Sequence, residues 1–166
     1  MNISRCLSES SIKLEMSTVY EPLEEGMSQE RWREAGKEKI LDELVTLLEI
    51  ANRVGNRTKL LIDFINRERK ATTGIGSGLA VPHIRSKQAK EFMMAVARST
   101  AGYDFGAIDG KPTHLFFVMA APPYDDALYL RVFRSLMGML QYESFRAELM
   151  AATQPGEFIR AIRSME

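Results

Sequence analysis

Cysteine and histidine are almost absent from this chain. Its 166 residues include one cysteine, Cys6, and two histidines, His83 and His114. A single thiol closes no bridge within the chain, and without paired cysteines there is no corner for a structural zinc ion. An excess of charge of one sign is also missing. The 22 Lys and Arg residues balance 22 Asp and Glu residues, for a net charge of zero. Without a basic excess there is no electrostatic footprint for nucleic acid, and there is no acidic tail. The longest apolar run, residues 115–123, is far too short to span a bilayer. The opening residues MNISRCLSES lack the apolar centre of a signal peptide. No internal repeat or low-complexity linker divides the chain. These absences predict one domain over residues 1–166, cytoplasmic and soluble, with no metal, no nucleic-acid partner and no membrane insertion.

The apolar residues that are present mix two periods. Residues 12–14 read as a short opening strand, whereas residues 21–33 are polar and carry no assignable pattern. From Lys37, the residues Ile40, Leu41, Leu44, Leu47, Leu48 and Ala51 recur at helical spacing, and Gly55 reads as the stop. A second helix is expected from about Asn56, with Leu60, Leu61, Phe64 and Ile65 facing inward. Residues 92–98 and 114–120 read as buried strands, separated by a turn at residues 108–112. Asp125 or Asp126 is placed to cap a further helix that carries Leu130, Phe133, Leu136 or Met137, and Leu140. Two short helices, near residues 143–152 and 155–163, close the chain. The ten methionines read as core filler. Strands mixed with helices of this length predict an α/β fold with helices on both faces of the sheet.

The segment TGIGSGLAVPHIR, residues 73–85, is the most informative part of the chain. Glycines at 74, 76 and 78 suggest a flexible turn that lets backbone approach a ligand closely. A short strand, residues 79–81, follows, and Pro82 ends it with His83 at its tip. A histidine at a strand end suits a nucleophile that carries phosphate: one ring nitrogen attacks while the other donates its proton and fixes the tautomer. The glycines match neither a dinucleotide fingerprint nor a P-loop. Arg67 and Arg69 lie at the end of the second helix, just before the glycines, and either guanidinium is suited to clamp a phosphoryl group in paired hydrogen bonds. His114 reads as a strand-edge residue, and Trp32 belongs to no motif.

Taken together these residues resemble a known pattern: Arg67-Glu68, then Thr72-Thr73, glycines 74 to 78, and Leu79-Ala80-Val81-Pro82-His83. Asp104-Phe105-Gly106 with Asp109-Gly110-Lys111-Pro112 adds a familiar loop before the central strand. The chain resembles the IIA domain of the fructose–mannitol type in the bacterial phosphoenolpyruvate-dependent sugar phosphotransferase system, including its nitrogen-regulatory relatives. The resemblance covers about residues 3–162. It implies a central mixed sheet of about five strands sandwiched by helices. It implies that His83 is the phosphorylated histidine, with Arg67 beside it and with Thr73, Gly78 and Tyr129 supporting the phosphoryl site. The donor would be the histidine-phosphorylated carrier protein, and the recipient a IIB domain or a regulatory target. No cofactor is implied. Transporting members carry a second histidine at the start of the helix after the central strand. Here Tyr129 stands in that place, and Ile84 stands where a small residue is common after the first histidine. A phenol donates a hydrogen bond but adds no positive charge near pH 7.

Overall fold

The computed structural model describes residues 2–125 and 127–166. Two antiparallel strands, β5 (Met93–Tyr103) and β6 (Thr113–Ala121), form the centre of a mixed sheet. On the far side of β5, β1 (Ile12–Lys13) pairs in parallel. On the far side of β6 lies a parallel line made of β3 (Leu79–Ala80) and β4 (His83–Arg85). The edge is β2 (Gly74–Gly76), antiparallel to β3. Both β3 and β4 meet β6 at the same offset of 36 residues, as in Leu79 opposite Leu115 and His83 opposite Met119. They are therefore one strand interrupted at Val81 and Pro82. Six named strands thus occupy five positions across the sheet, in agreement with the expected count.

Both faces of the sheet are buried, as expected. On one face Met94, Val96, Leu115, Phe117 and Met119 pack against α3 (Ala127–Leu140), α4 (Glu143–Ala151) and α5 (Pro155–Met165). On the other, Met93, Ala95, Ala97, Phe116, Val118 and Ala120 meet α1 (Gln29–Glu49) and α2 (Arg57–Lys70). Alternate residues of each strand serve opposite cores, because successive side chains leave a strand on opposite sides. Facing pairs on the α1/α2 side match large with small: Met93 with Ala120, Ala95 with Val118, Ala97 with Phe116. Buried Arg98 donates to the carbonyls of Leu14, Leu149, Met150 and Ala152, so it fastens β5 to the end of α4. No helix of the described residues is long and apolar enough to cross a membrane.

Several local expectations need correction. The first helix begins at Gln29, eight residues before the apolar period starts. Ser28 caps it by accepting from the Arg31 N–H at 3.1 Å, and its first turns are exposed, so they carry no apolar stripe. It ends at Glu49, before Gly55. The second helix starts where expected: Asn56 accepts from the Lys59 N–H at 3.0 Å. The glycine segment is not a flexible turn but a hairpin of β2 and β3, with Ser77 and Gly78 in the left-handed region at its tip. In α3 the inner face is Tyr129, Val132, Leu136, Met139 and Leu140, so Leu136 and Leu140 face inward as expected, whereas Tyr129 and Val132 take the places expected of Leu130 and Phe133, and Leu130 is 48% exposed. Asp125 accepts from the Leu128 N–H at 3.2 Å, and Asp126 lies outside the described residues.

Residues 14–28 cross the outside of α1 as a strap. Glu43 on α1 accepts from the Ser17 and Thr18 N–H groups at 2.8 and 2.9 Å. Tyr20 stacks on Tyr103, meets Trp32 edge-on, and donates its hydroxyl to the Asp104 carbonyl at 2.8 Å. The ring lies directly over Gly36, and a Cβ there would overlap it. Gly138 on α3 has open space where its Cβ would stand. Gly-to-Ala substitution in a helix is intrinsically favourable by about 0.5–1 kcal/mol. Urea unfolding should therefore show Gly138→Ala more stable than the parent by about that amount. Gly36→Ala should be less stable, despite the same helical gain, because Tyr20 has to leave its seat.

Candidate functional site

His83 opens β4 on the groove side of the sheet, directly after the break. Its Nδ1 lies 2.5 Å from the carbonyl oxygen of Val81. A carbonyl only accepts, so Nδ1 carries the proton and Nε2 keeps its lone pair. No described residue hydrogen-bonds Nε2. The ring packs against Phe133, with centroids 4.8 Å apart, and Tyr129 stands 6.0 Å away. Both come from α3, one turn apart. The ring is half-buried, and its pKa lies below the ordinary histidine value. Burial is the main cause. The hydrogen bond to Val81 opposes it, the charge of Arg67 adds to it, and Glu68 pulls the other way. The imidazole is therefore neutral at pH 7.

Beside the ring opens a groove of about 750 Å³. Five basic side chains line it: Lys59, Arg67, Lys70, Arg85 and Lys87. Among the described residues Asp63 is the one carboxylate of the lining, and it accepts the Ser86 hydroxyl at 2.6 Å. A wall with this excess of positive charge favours a dianionic group in front of Nε2. Arg67 is the better placed of the two arginine candidates. It lines the groove, and its Nη1 donates to the Ala71 carbonyl at 2.9 Å, which ties one side of the guanidinium to the end of α2. Arg69 leaves the groove and pairs with Glu38 at 2.9 Å.

The neighbouring Glu68 points inward and is only 7% exposed. It accepts from the Thr73 N–H at 2.8 Å and the Thr73 hydroxyl at 2.6 Å, and it pairs with Lys37 at 2.8 Å. Thr73 is thus buried behind the site and does not line the groove. Gly78 is farther away, at the hairpin tip, where its carbonyl accepts from the His114 and Leu115 N–H groups. Two N–H groups of the hairpin are engaged locally, that of Gly74 by Thr72 and that of Ser77 by Asp109. The glycines therefore shape the edge of the sheet and do not cradle an anion beside His83. His114 is also remote from the groove, with its Nδ1 3.0 Å from the Ser99 carbonyl.

Tyr129 does reach the site. It is on the first turn of α3, lines the groove, and has the Arg85 guanidinium 5.1 Å over its ring. Burial pushes its phenol up, while Arg85 and Arg67 oppose the shift, so the hydroxyl stays a donor near neutrality. Sequence reasoning missed Phe133 as a neighbour of the ring, although it follows Tyr129 at helical spacing. It also missed the basic rim from Lys59, Lys70 and Lys87, which comes from two separate segments. Among the described residues no cluster of His, Cys, Asp and Glu is arranged to hold a metal ion.

A family model for the phosphoenolpyruvate-dependent sugar phosphotransferase system, EIIA 2, matches residues 33–165. A fructose-specific EIIA component of Haloferax volcanii is 35% identical over 118 residues, which cover 71% of this chain and 77% of that protein. A fructose-specific EIIABC component of Bacillus subtilis is 33% identical over 126 residues, 76% of this chain, but the match spans only 20% of that longer protein. Among solved structures, the nitrogen regulatory protein IIA-Ntr of Neisseria meningitidis superposes with a TM-score of 0.79 at 26% identity, covering 98% of this chain and 99% of that one. The chain belongs to the EIIA type 2 family of the phosphoenolpyruvate-dependent sugar phosphotransferase system.

Proposed function

We propose that this chain is a phosphoryl carrier that takes phosphate on Nε2 of His83. The observation that carries the reading is the ring itself: Nδ1–H is committed to Val81, and Nε2 is left as a nucleophile beside a basic groove. The Nε2 lone pair forms the new N–P bond. The N–P bond of the donor breaks, and its electron pair returns to the donor's imidazole. The Nδ1 proton stays where it is, so no base is needed. Arg67 neutralises the charge on the transferring group. The expected donor is the histidine-phosphorylated carrier protein of the system, the expected recipient is a IIB domain, and the expected setting is the cytoplasm. The kinship with fructose-specific EIIA proteins supports this reading.

A second reading is regulatory: the phosphorylation state of His83 switches contacts with a target protein. Tyr129 favours it, because a phenol stands where transporting relatives place a second histidine. The likeness to a nitrogen regulatory protein points the same way.

Incubation with phosphoenolpyruvate, the first enzyme of the system and its carrier protein tests the main reading. The chain should gain one acid-labile phosphoryl group. His83→Ala should abolish the label and His114→Ala should not change it. Undiminished labelling of His83→Ala removes the assignment. Arg67→Ala should slow transfer by about ten- to a hundred-and-fifty-fold, since a charge-assisted hydrogen bond contributes about 1.5–3 kcal/mol. Arg69→Ala should leave the rate within about twofold of wild type.

The pH dependence follows from the lowered pKa of His83. An imidazole with the ordinary value of about 6.5 would lose nucleophile by protonation as pH falls through 6.5. Here the rate of phosphoryl acceptance should hold through pH 6.5 and fall only below it. A proton-NMR titration of the ring should show the same midpoint. Tyr129→His should speed exchange below about pH 6.5, where an imidazolium adds positive charge beside the phosphate. An unchanged rate in that variant would remove Tyr129 as evidence for the regulatory reading.

A further inference from the structure

The carbonyl that fixes the tautomer of His83 is itself held in place, and the restraints lead to a buried ion pair. The Val81 N–H donates to the Thr73 carbonyl at 3.0 Å. Thr73 gives its own N–H and its hydroxyl to the two oxygens of Glu68, at 2.8 and 2.6 Å. Glu68 pairs with Lys37 at 2.8 Å, and that ammonium sits 4.6 Å over the Phe105 ring. Val81 and Thr73 are almost wholly inaccessible to solvent, so water does not replace any of these bonds. From α1, through α2, to the edge of the sheet, the bonds form one unbroken series that ends on Nδ1 of His83.

We propose that Glu68 is a positioning residue for His83. Acting through Thr73 and Val81, it keeps the ring in the Nδ1–H tautomer with Nε2 presented to the groove. The inference rests on the reading of His83 as the phosphoryl acceptor. A buried carboxylate suits this task because it accepts two bonds from one residue, which fixes both the position and the rotation of the Thr73 peptide. The result is preorganisation: the nucleophilic nitrogen is selected before any donor arrives. The neighbouring Arg67 does a different job one step around the same helix.

The test reads the tautomer directly, by nitrogen-15 NMR of the His83 ring, and uses phosphoramidate as a small phosphoryl donor. In that reaction Nε2 forms the N–P bond and ammonia leaves with the electrons of the bond that breaks. The Lys37→Met/Glu68→Ala variant removes the series without leaving a buried unpaired ammonium. Its His83 ring should show a mixture of tautomers, and labelling at pH 7.5 should slow by about tenfold. In Lys37→Met/Glu68→Gln the amide accepts from the Thr73 N–H and donates to its hydroxyl. That variant should recover the single tautomer and most of the rate, which a loss of general stability would not explain. If the alanine variant does not fold, Thr73→Val decides: it removes one of the two bonds to Glu68, and the minor tautomer should become detectable. A single Nδ1–H tautomer in folded Lys37→Met/Glu68→Ala or in Thr73→Val overturns the proposal. If the tautomers respond as stated but wild type takes no label from the phosphorylated carrier protein, the carrier reading falls and the role of Glu68 stands.

Discussion

In a β-strand the N–H and C=O of one residue point to the same side. At Val81 that side is away from β6, since its N–H goes to Thr73, while the Pro82 carbonyl turns inward and accepts from Met119 at 2.9 Å. The outward carbonyl of Val81 has no strand opposite it, because β2 ends its pairing with β3 nearer the hairpin tip. It is therefore available to a side chain two residues on, and the His83 ring takes it. Pro82 interrupts the pairing without shifting the register, so the strand resumes with His83 at its first position. The tautomer, the free Nε2 and the contact with α3 all depend on this one carbonyl leaving the ladder.

The last turn of α2 divides two neighbouring residues between two tasks. Successive helical residues are rotated by about 100°. Arg67 therefore faces the groove while Glu68 faces the core, and the pair connects the charged surface of the site to its buried support. Arg69, one step further on, turns to Glu38 on α1. The basic end of α2 also offsets the partial negative charge that a helix C-terminus would otherwise present to an anion.

Much of this was legible in the chain itself. The periodic stretches of α1, α2, β5 and β6 were readable because each has a face or a run that must be buried. His83 and Arg67 were readable because their residue types and order match a specific pattern. What escaped had no such signal. The start of α1 carries no apolar stripe and is fixed by a cap at Ser28 and by a strap whose seat is Gly36. The role of the glycines was misread because a hairpin and an anion-binding turn use the same residue for the same conformational freedom. Thr73 and Gly78 looked like parts of the site in the linear pattern. In three dimensions one lies behind it and the other at the opposite end of a strand. The first half of the α3 stripe was displaced by one position because Leu130 is apolar yet exposed, while Tyr129 is buried.

The two central strands are buried on both faces, so the usual contrast of polar and apolar residues is unavailable to set their alignment. Volume takes its place. On the α1/α2 side Ala97 faces Phe116 and Met93 faces Ala120, so that each large side chain fills the space a small one leaves. A slip of one residue would send Met94 and Val96 to a face that holds alanines, and would leave the α3 side underfilled. The misaligned sheet would be just as greasy, yet it would not close. Because His83 stands opposite Met119 on β6, the alignment of β6 against β5 also sets the place of His83 relative to the far side of the sheet.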